Sequence, residues 1–271
     1  MFSTLKEILV DNWQWRHQIG RLAIFDLVKR ARGAALGWAW FFIKPAIYIF
    51  CFWFALDIGL RSGSNMGEGA PPYILWLVAG MIPWFFMQDI LGTGINVLRR
   101  YSYLVNKIKF PIGGISTIYT LATLVLQLML MVALFIIYFA CGMQLDIYLL
   151  QIPILLILMF VFWDIFSILC SQLSAISKDF LNMMKALGTP FFWLSGVIFN
   201  VQQIPIDWIQ VLLQFNPITF FVQAFRGALY DKTWFWDDPQ ACIGFAVVFV
   251  ATLVVALLVY KRFNKEVPDV L

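Results

Sequence analysis

Long apolar runs separated by short polar segments make up most of the chain. A helix needs about 20 mostly apolar residues to cross the hydrocarbon core of a bilayer, which is about 30 Å thick. Six runs have about this length or more, at about 36–60, 73–92, 112–142, 147–174, 186–202 and 239–260. The pattern predicts an all-α integral membrane protein with six transmembrane helices.

A further apolar stretch, 208–225, is broken near its middle by Asn216-Pro217. Proline removes a backbone donor and stops a helix. Each half then holds about 8–9 residues, roughly 13 Å of helix, which is too short to cross. Two short helices that dip into the membrane and return are acceptable if protein surrounds their backbone. We therefore predict a re-entrant helical hairpin within 203–232, on the outer face between helices 5 and 6.

The composition excludes a soluble domain. Hydrophobic residues make up 62% of the chain and charged residues 13%, whereas soluble domains average about 45–50% and about 25%. The four cysteines form no CxxC pair and His17 is the single histidine, so we expect no metal site. No GxxxxGK[ST] phosphate loop occurs, and we expect no catalytic site, no cofactor and no nucleic-acid partner on this chain.

The distribution of Lys and Arg predicts the orientation. With six crossings and cytoplasmic termini, the inner segments hold fifteen of these cations and the outer segments hold three, Arg61, Arg226 and Lys232. Cytoplasmic loops carry the excess of positive charge in membrane proteins. Both termini are therefore predicted to lie in the cytoplasm, the last as a tail over 263–271.

The first 32 residues precede the membrane domain, which we assign to 33–262. Trp15, Ile19 and Leu22 share one helical face, and Asp26 interrupts its continuation. This pattern favours an amphipathic helix on the inner leaflet. A plain solvated leader is the alternative.

Two loops carry candidate contacts. The cytoplasmic loop 99–110 alternates cations with rings, which fits the topology rule alone, binding of anionic lipid, or docking into a groove on a soluble partner. The outer segment 202–238 is rich in aromatic side chains. These either anchor the chain at the interface or stack on sugars.

Two predicted spans each carry a polar stripe with helical spacing. The third span has Ser116, Thr120, Thr123 and Gln127 on one face. The fourth has Asp164, Ser167, Ser171, Ser174 and Lys178. Hydrogen bonding between helices and a hydrated substrate path explain these stripes equally well.

The chain resembles the membrane subunits of ABC-2 type exporters of O-antigen, capsule and wall teichoic acid over nearly its whole length. The motifs that carry the resemblance are Leu36-Gly37 with Trp40 and Pro45, Leu75-Trp76 with Gly80 and Trp84-Phe85-Phe86, Lys109-Phe110-Pro111, Lys178-Asp179, and Asn216-Pro217 with Phe225-Arg226. Lys44 departs from a frequent Asn, and Gly196 from a common proline that would bend the fifth span.

The resemblance implies a homodimer in the bacterial plasma membrane that works with two separate ATPase subunits, which would hold ATP and Mg. It implies a glycan on an undecaprenyl carrier as substrate and a coupling helix in the loop 99–110. The candidate coupling residues are Arg99, Arg100, Tyr101, Tyr103, Lys107 and Lys109. The candidate cations for the carrier's pyrophosphate are Arg30, Arg32 and Lys44. The candidate channel residues are Ser116, Thr120, Thr123, Gln127, Asp164, Ser167 and Ser171. The candidate outer contacts are Trp208, Phe220, Phe221, Phe225, Arg226 and Trp234.

Three other functions remain open on sequence. The first is an ABC-2 exporter of small amphiphilic drugs or lipids. The second is a membrane enzyme acting on lipid-linked sugars, and the third is an ion-coupled carrier, which the sparse intramembrane charge disfavours.

Overall fold

The computed structural model describes residues 2–32, 35–60, 72–108, 110–264 and 266–270. Every regular element within these ranges is helical, so the all-α prediction is confirmed. The α-helices are α1 (Phe2–Gln14), α2 (Arg16–Ala31), α3 (Trp40–Trp53), α4 (Tyr73–Gly92), α5 (Val97–Arg100), α6 (Ser102–Ile108), α7 (Ile112–Ala140), α8 (Gln151–Ile176), α9 (Lys178–Leu194), α10 (Asp207–Gln214), α11 (Pro217–Arg226), α12 (Pro239–Phe263) and α13 (Val267–Val270).

Five helical runs in the described residues are long and apolar enough to cross a membrane, one fewer than the six predicted. They are Gly37–Gly59, Tyr73–Asn106, Ile112–Ala140, Ile147–Ile176 and Pro239–Phe263. The fifth predicted span, 186–202, is replaced by α9, which begins eight residues earlier and ends eight residues earlier. The difference arises because α9 incorporates the charged residues Lys178, Asp179 and Lys185, which the hydropathy pattern assigned to a loop.

Gly196 explains where α9 ends. Ser195 follows the last helical residue, and Gly196 has a φ of +69°. This left-handed conformation is typical of the residue that terminates a helix, and glycine adopts it without a Cβ penalty. Gly196 therefore lies beyond the end of α9, whereas the predicted fifth span placed it inside a helix.

One end of the bundle is strongly basic. Arg99 donates hydrogen bonds to the carbonyls of Ser174 and Ala175 at the end of α8, at 2.9 and 2.8 Å. Gly113, at the start of α7, lies beside Tyr260 near the end of α12. We call this the basic end; it carries Arg99, Arg100, Lys178, Lys261 and Arg262.

The starts of α4 and α8 lie at the opposite end of the bundle. Gln151 at the start of α8 donates to the carbonyl of Thr233 at 2.8 Å, and Arg226 donates to the carbonyl of Trp76 in α4 at 3.3 Å. The break predicted at Asn216-Pro217 is present, and Asn216 caps α11 by accepting from the backbone N–H of Ile218 at 3.0 Å. Both short helices, α10 and α11, therefore lie near the opposite end.

The helices differ widely in burial. Fourteen residues of α4 are buried, and α4 packs against α3, α7, α9 and α11. The helix α3 contains no buried residue. A single chain thus encloses α4 and leaves α3 at its edge.

Both terminal regions are held against the bundle. The leader forms two helices rather than one, and Asp26 is buried, with 2% of its surface exposed. Asp26 therefore continues the packed face of α2 instead of interrupting it, because ion pairs satisfy its charge. The predicted tail also packs: Val267 in α13 is fully buried, and α13 contacts α6 and α8.

Candidate substrate cavity and coupling surface

A cavity of about 430 Å³ opens between α2, α3, α4 and α7, in the half of the bundle nearer to the basic end. It brings together two of the candidate cations, Arg30 and Lys44, and two members of the first polar stripe, Thr123 and Gln127. We call it the main cavity. The aromatic side chains that line it are Trp40, Phe41, Tyr48, Phe85 and Phe86.

An ion network forms one wall of the main cavity. Arg30 pairs with Asp26 at 2.6 Å and with Asp89 at 2.9 Å. Arg100 pairs with Asp26 at 3.3 Å, and the Tyr101 hydroxyl also donates to Asp26. Two guanidinium groups therefore balance two carboxylates, and the network is neutral as a whole.

Arg30 remains charged in this position. Its guanidinium lies 4.2 Å from the ring centroid of Tyr119. Burial opposes its charge, but Tyr119 and the carboxylates of Asp89 and Asp26 outweigh this effect and raise the pKa of Arg30 above its usual range. Since both carboxylates already occupy it, Arg30 has little capacity left for an external anion.

Lys44 is the exposed cation of the main cavity. It pairs with no carboxylate among the residues that the structure describes. Arg32 was predicted to act beside it, but Arg32 lies exposed at the end of α2 and does not line the cavity.

Gln127 lines the main cavity with both polar atoms of its amide unpartnered. The side chain is 1% exposed, and neither Oε1 nor Nε2 has a hydrogen-bond partner within the described part of the chain. Buried polar groups in proteins are nearly always paired. The amide of Gln127 is therefore available to a ligand or to water.

The two polar stripes face each other. The hydroxyls of Ser116 and Ser171 lie 3.2 Å apart, and Thr117 donates to Asp164 at 2.9 Å. Ser167 donates to the carbonyl of Gly94 at 3.0 Å. These contacts favour the packing interpretation for this part of the stripes.

Two members of the first stripe reach the main cavity. Thr123 donates to Asp89 at 2.9 Å, and Gln127 lies one turn further along α7. The other members, Ser116 and Thr120, are buried between helices, with the Thr120 hydroxyl donating to the carbonyl of Ser116 at 3.1 Å.

The predicted coupling residues divide into two groups. Arg99 and Tyr101 turn towards the bundle, where Arg99 holds the end of α8 and Tyr101 holds Asp26. Arg100 and Tyr103 are exposed. The side chain of Lys107 and the whole of Lys109 lie outside the described residues.

An apolar groove of about 370 Å³ separates α2 from α6 at the basic end. Its rim includes the exposed side chains of Phe25 and Ile108, and Arg21 adds a cation. Exposed apolar surface next to cations is typical of a site for a protein partner or for the membrane surface. The basic loop and α2 thus form a continuous candidate docking surface.

The predicted outer aromatic contacts are mostly enclosed. Phe220, Phe221 and Phe225 are 5% exposed or less. Trp208 is 68% exposed, and the Trp234 ring stacks on Trp236 with centroids 4.6 Å apart. Only Trp208 and Trp234, of the five predicted rings, have surface that a polymer can touch.

Arg226 ties three segments together at the opposite end. It donates to the carbonyl of Gly196 at 2.7 Å, to that of Val197, and to that of Trp76. Its guanidinium also lies 3.4 Å from the centroid of the Trp76 ring. A Cβ on Gly80 would overlap the guanidinium, so the glycine leaves the space that Arg226 fills.

Sequence reasoning missed a second cavity. It has about 360 Å³, lies between α3, α4 and α9, and shares Tyr48 and Gln88 with the main cavity. Lys185 lines it. A helical face could have been read from the spacing of Lys185, Gly188, Thr189 and Phe192. The predicted span began at 186, however, and so excluded Lys185 from that face.

Comparison with known proteins gives a consistent result. The profile of the ABC-2 type transporter family matches residues 17–230. The O-antigen export system permease protein RfbA of Myxococcus xanthus is 20% identical over 258 residues, which cover 94% of this chain and 95% of that protein. The RfbA protein of Klebsiella pneumoniae is 20% identical over 250 residues, covering 91% and 92%.

Proposed function

The chain belongs to the ABC-2 type transporter family, and from this premise we propose that it is the membrane subunit of an ATP-driven exporter of a lipid-linked cell-surface polysaccharide. It moves this substrate from the cytoplasmic to the outer side of a bacterial plasma membrane. A second copy and two ABC ATPase subunits complete the transporter, and the ATPase subunits bind ATP and Mg.

The main cavity is the observation that carries this proposal. It combines a cation without a carboxylate partner, Lys44, with an unpaired buried amide, Gln127, and several aromatic rings. An anionic, hydroxylated headgroup on a lipid matches this mixture: the cation pairs with phosphate, the amide pairs with oxygen, and rings pack on sugar or chain.

The relatives support the substrate class. Two proteins whose names assign them to O-antigen export align with more than nine-tenths of this chain. An exporter of small amphiphilic drugs or lipids is the second candidate, because the exposed apolar surface of α3 suits any amphiphile.

We assign six crossings, with α9 as the fifth. The helix starts after Ser177 at the basic end, and the residue that follows it, Ser195, lies near Arg226 at the opposite end, where the Ser195 carbonyl accepts from Thr219 at 3.2 Å. Seventeen residues give about 26 Å of helix. The segment from α10 to α11 then forms the re-entrant hairpin, and the basic end faces the cytoplasm.

The ATPase docks at the surface formed by α2 and α6 in this proposal. Tyr103 and Ile108 on α6 are exposed beside the apolar groove. Tyr101 and Arg100 connect that surface to Asp26, and Asp26 connects to Arg30, Asp89 and the wall of the main cavity. Movement of the docked ATPase therefore reaches the cavity through short polar contacts.

The second copy covers α3. Within its own chain, α3 packs on one side only, mainly against α4, and its other side faces outward. Association through this helix places the two main cavities on either side of the interface, and the substrate passes between the copies.

Deletion of the gene with complementation tests the proposal. We expect the deletion to remove surface polysaccharide and to leave resistance to small amphiphiles unchanged, and the wild-type chain to restore the polymer. The chain should also co-purify with an ATPase whose turnover rises with lipid-linked glycan. A deletion strain with normal surface polysaccharide and lost amphiphile resistance would favour the second candidate.

A further inference from the structure

We propose that Lys44 and Lys185 together bind a diphosphate or phosphate ester in the cytoplasmic half of the bundle. The sequence named Lys44 as a candidate for this role, whereas Lys185 and its pairing with Lys44 come from the structure. The proposal rests on the function proposed above and identifies which residues bind the anionic part of the substrate.

The geometry of two adjoining cavities supports this site. Lys44 lines the main cavity and Lys185 lines the second cavity, and both cavities share Tyr48 and Gln88. The two lysines thus stand on α3 and α9, on either side of the boundary that Tyr48 and Gln88 form between the two cavities.

Charge balance singles out these two cations. Arg30 and Arg100 are matched by Asp26 and Asp89. Neither Lys44 nor Lys185 has an ion-pair partner in the part of the chain that the structure describes. An anion that enters the cavities therefore meets two uncompensated positive charges. Among the described residues that line the two cavities, the carboxylate is Asp89, and Arg30 pairs with it.

Lys185 lies at a suitable depth for binding a phosphate. Lys185 lies seven residues into α9, which corresponds to about 10 Å from the basic end. Long cationic side chains at this depth reach the headgroup region while their methylene groups cover apolar surface. A phosphate here keeps part of its hydration and avoids the cost of the bilayer centre.

The unpaired amide of Gln127 points independently to a ligand. It is buried in the main cavity with Lys44, and no described residue satisfies it. A phosphate ester or a sugar hydroxyl next to the phosphate supplies both an acceptor for its N–H and a donor for its carbonyl. Arg30 and Arg32 are not needed for this contact.

Binding measurements on the purified full chain test the site. The chain is placed in nanodiscs of zwitterionic lipid, and calorimetry measures binding of farnesyl diphosphate, inorganic pyrophosphate and farnesol. We expect Lys44→Gln and Lys185→Gln each to weaken farnesyl diphosphate binding by about tenfold, because a charge-assisted hydrogen bond contributes at this level. Lys44→Arg and Lys185→Arg should retain most of the affinity.

Lys178→Gln is the matched control, since Lys178 is an exposed lysine at the start of the same helix as Lys185 and lines neither cavity. Its affinity should stay within twofold of wild type. Binding of farnesyl diphosphate but not pyrophosphate identifies a lipid headgroup, whereas lysine-dependent binding of both identifies a site for free phosphates as well.

Unchanged binding in the Lys44→Gln, Lys185→Gln double variant overturns the two-lysine site, as does an equal loss in Lys178→Gln. Surface polysaccharide in the deletion strain is measured separately. Normal polymer there overturns the proposed export function, whatever the binding data give, so the two failures can be told apart.

Discussion

Gly80 and Arg226 form a pair in which the absence of one side chain makes room for the other. Adding a Cβ at Gly80 displaces a guanidinium that is held by three backbone carbonyls. We therefore expect Gly80→Ala to lower the free energy of unfolding by about 1–3 kcal/mol, the usual cost of overpacking. Thermal unfolding of the purified chain in detergent measures the effect.

Gly92→Ala is the control for this substitution. Gly92 lies on the same helix, and a Cβ there meets no atom within 4 Å. Its melting temperature should match that of the wild type or exceed it, because alanine favours the helix. Equal destabilisation by both substitutions would show that the Arg226 contact is not the cause.

Sequence patterns identified candidate residues but not the side chains that pair with them. The patterns found Lys44, Arg30 and Gln127 as candidates, because charge and polar spacing in an apolar run are visible in a sequence. They did not reveal that Asp26 and Asp89 neutralise Arg30. That information depends on which way α2 and α4 face each other, and no periodicity within one helix contains it.

At the scale of elements, the helix α2 connects the candidate docking surface to the main cavity. Asp26→Asn keeps the size of the side chain and removes the charge that Arg30 and Arg100 share. We expect export to fall by at least about tenfold while the assembled complex still hydrolyses ATP, because the link between the two surfaces is cut. Surface polysaccharide and ATPase rates, measured on the same strains, test this expectation.

Two further variants make the result specific. Arg100→Gln removes one exposed partner of Asp26 and should give a smaller loss of export than Asp26→Asn. Asp179→Asn changes an exposed carboxylate on α9 and should have no effect. Export that stays normal in Asp26→Asn contradicts a role for this network in coupling.

The helix α13 packs against α6, which forms part of the candidate docking surface. Val267 is fully buried, whereas Val270 on the same short helix is 53% exposed. We expect Val267→Asp to loosen α6 and to reduce co-purification of the ATPase several-fold, since a buried charge without a partner is costly. Val270→Asp should leave co-purification unchanged, and equal yields from both variants would remove α13 from the docking surface.

The elements were predictable to the extent that hydrophobicity alone determines them. The apolar helices α3, α4, α7, α8 and α12 coincide with long apolar runs that contain few charged residues. The fifth span was displaced because α9 includes Lys178, Asp179 and Lys185, whose charges suggest a loop although their backbone is helical. The helix α13 has four residues, which is too short for hydropathy to reveal that it packs against the bundle.

At the scale of the whole molecule, the number of crossings decides whether the basic end and both termini share one side of the membrane. Five apolar runs alone would separate the termini, whereas α9 as a further crossing brings them together. Because the start of α9 is polar, hydropathy is a poor guide to whether this helix crosses the membrane. The contacts that α9 makes at both ends of the bundle support a crossing more strongly.

Cysteine labelling in intact cells tests this arrangement. In a background without Cys51, Cys141, Cys170 and Cys242, single cysteines replace Asp207 and Glu266, both of which are exposed. We expect a membrane-impermeant maleimide to label Asp207→Cys from outside and to reach Glu266→Cys only after the membrane is permeabilised. Six crossings place α10 outside and the end of the chain inside. If α9 does not cross, the single crossing of α12 leaves Asp207 inside and Glu266 outside, so labelling of Glu266→Cys from outside together with protection of Asp207→Cys would overturn the α9 crossing.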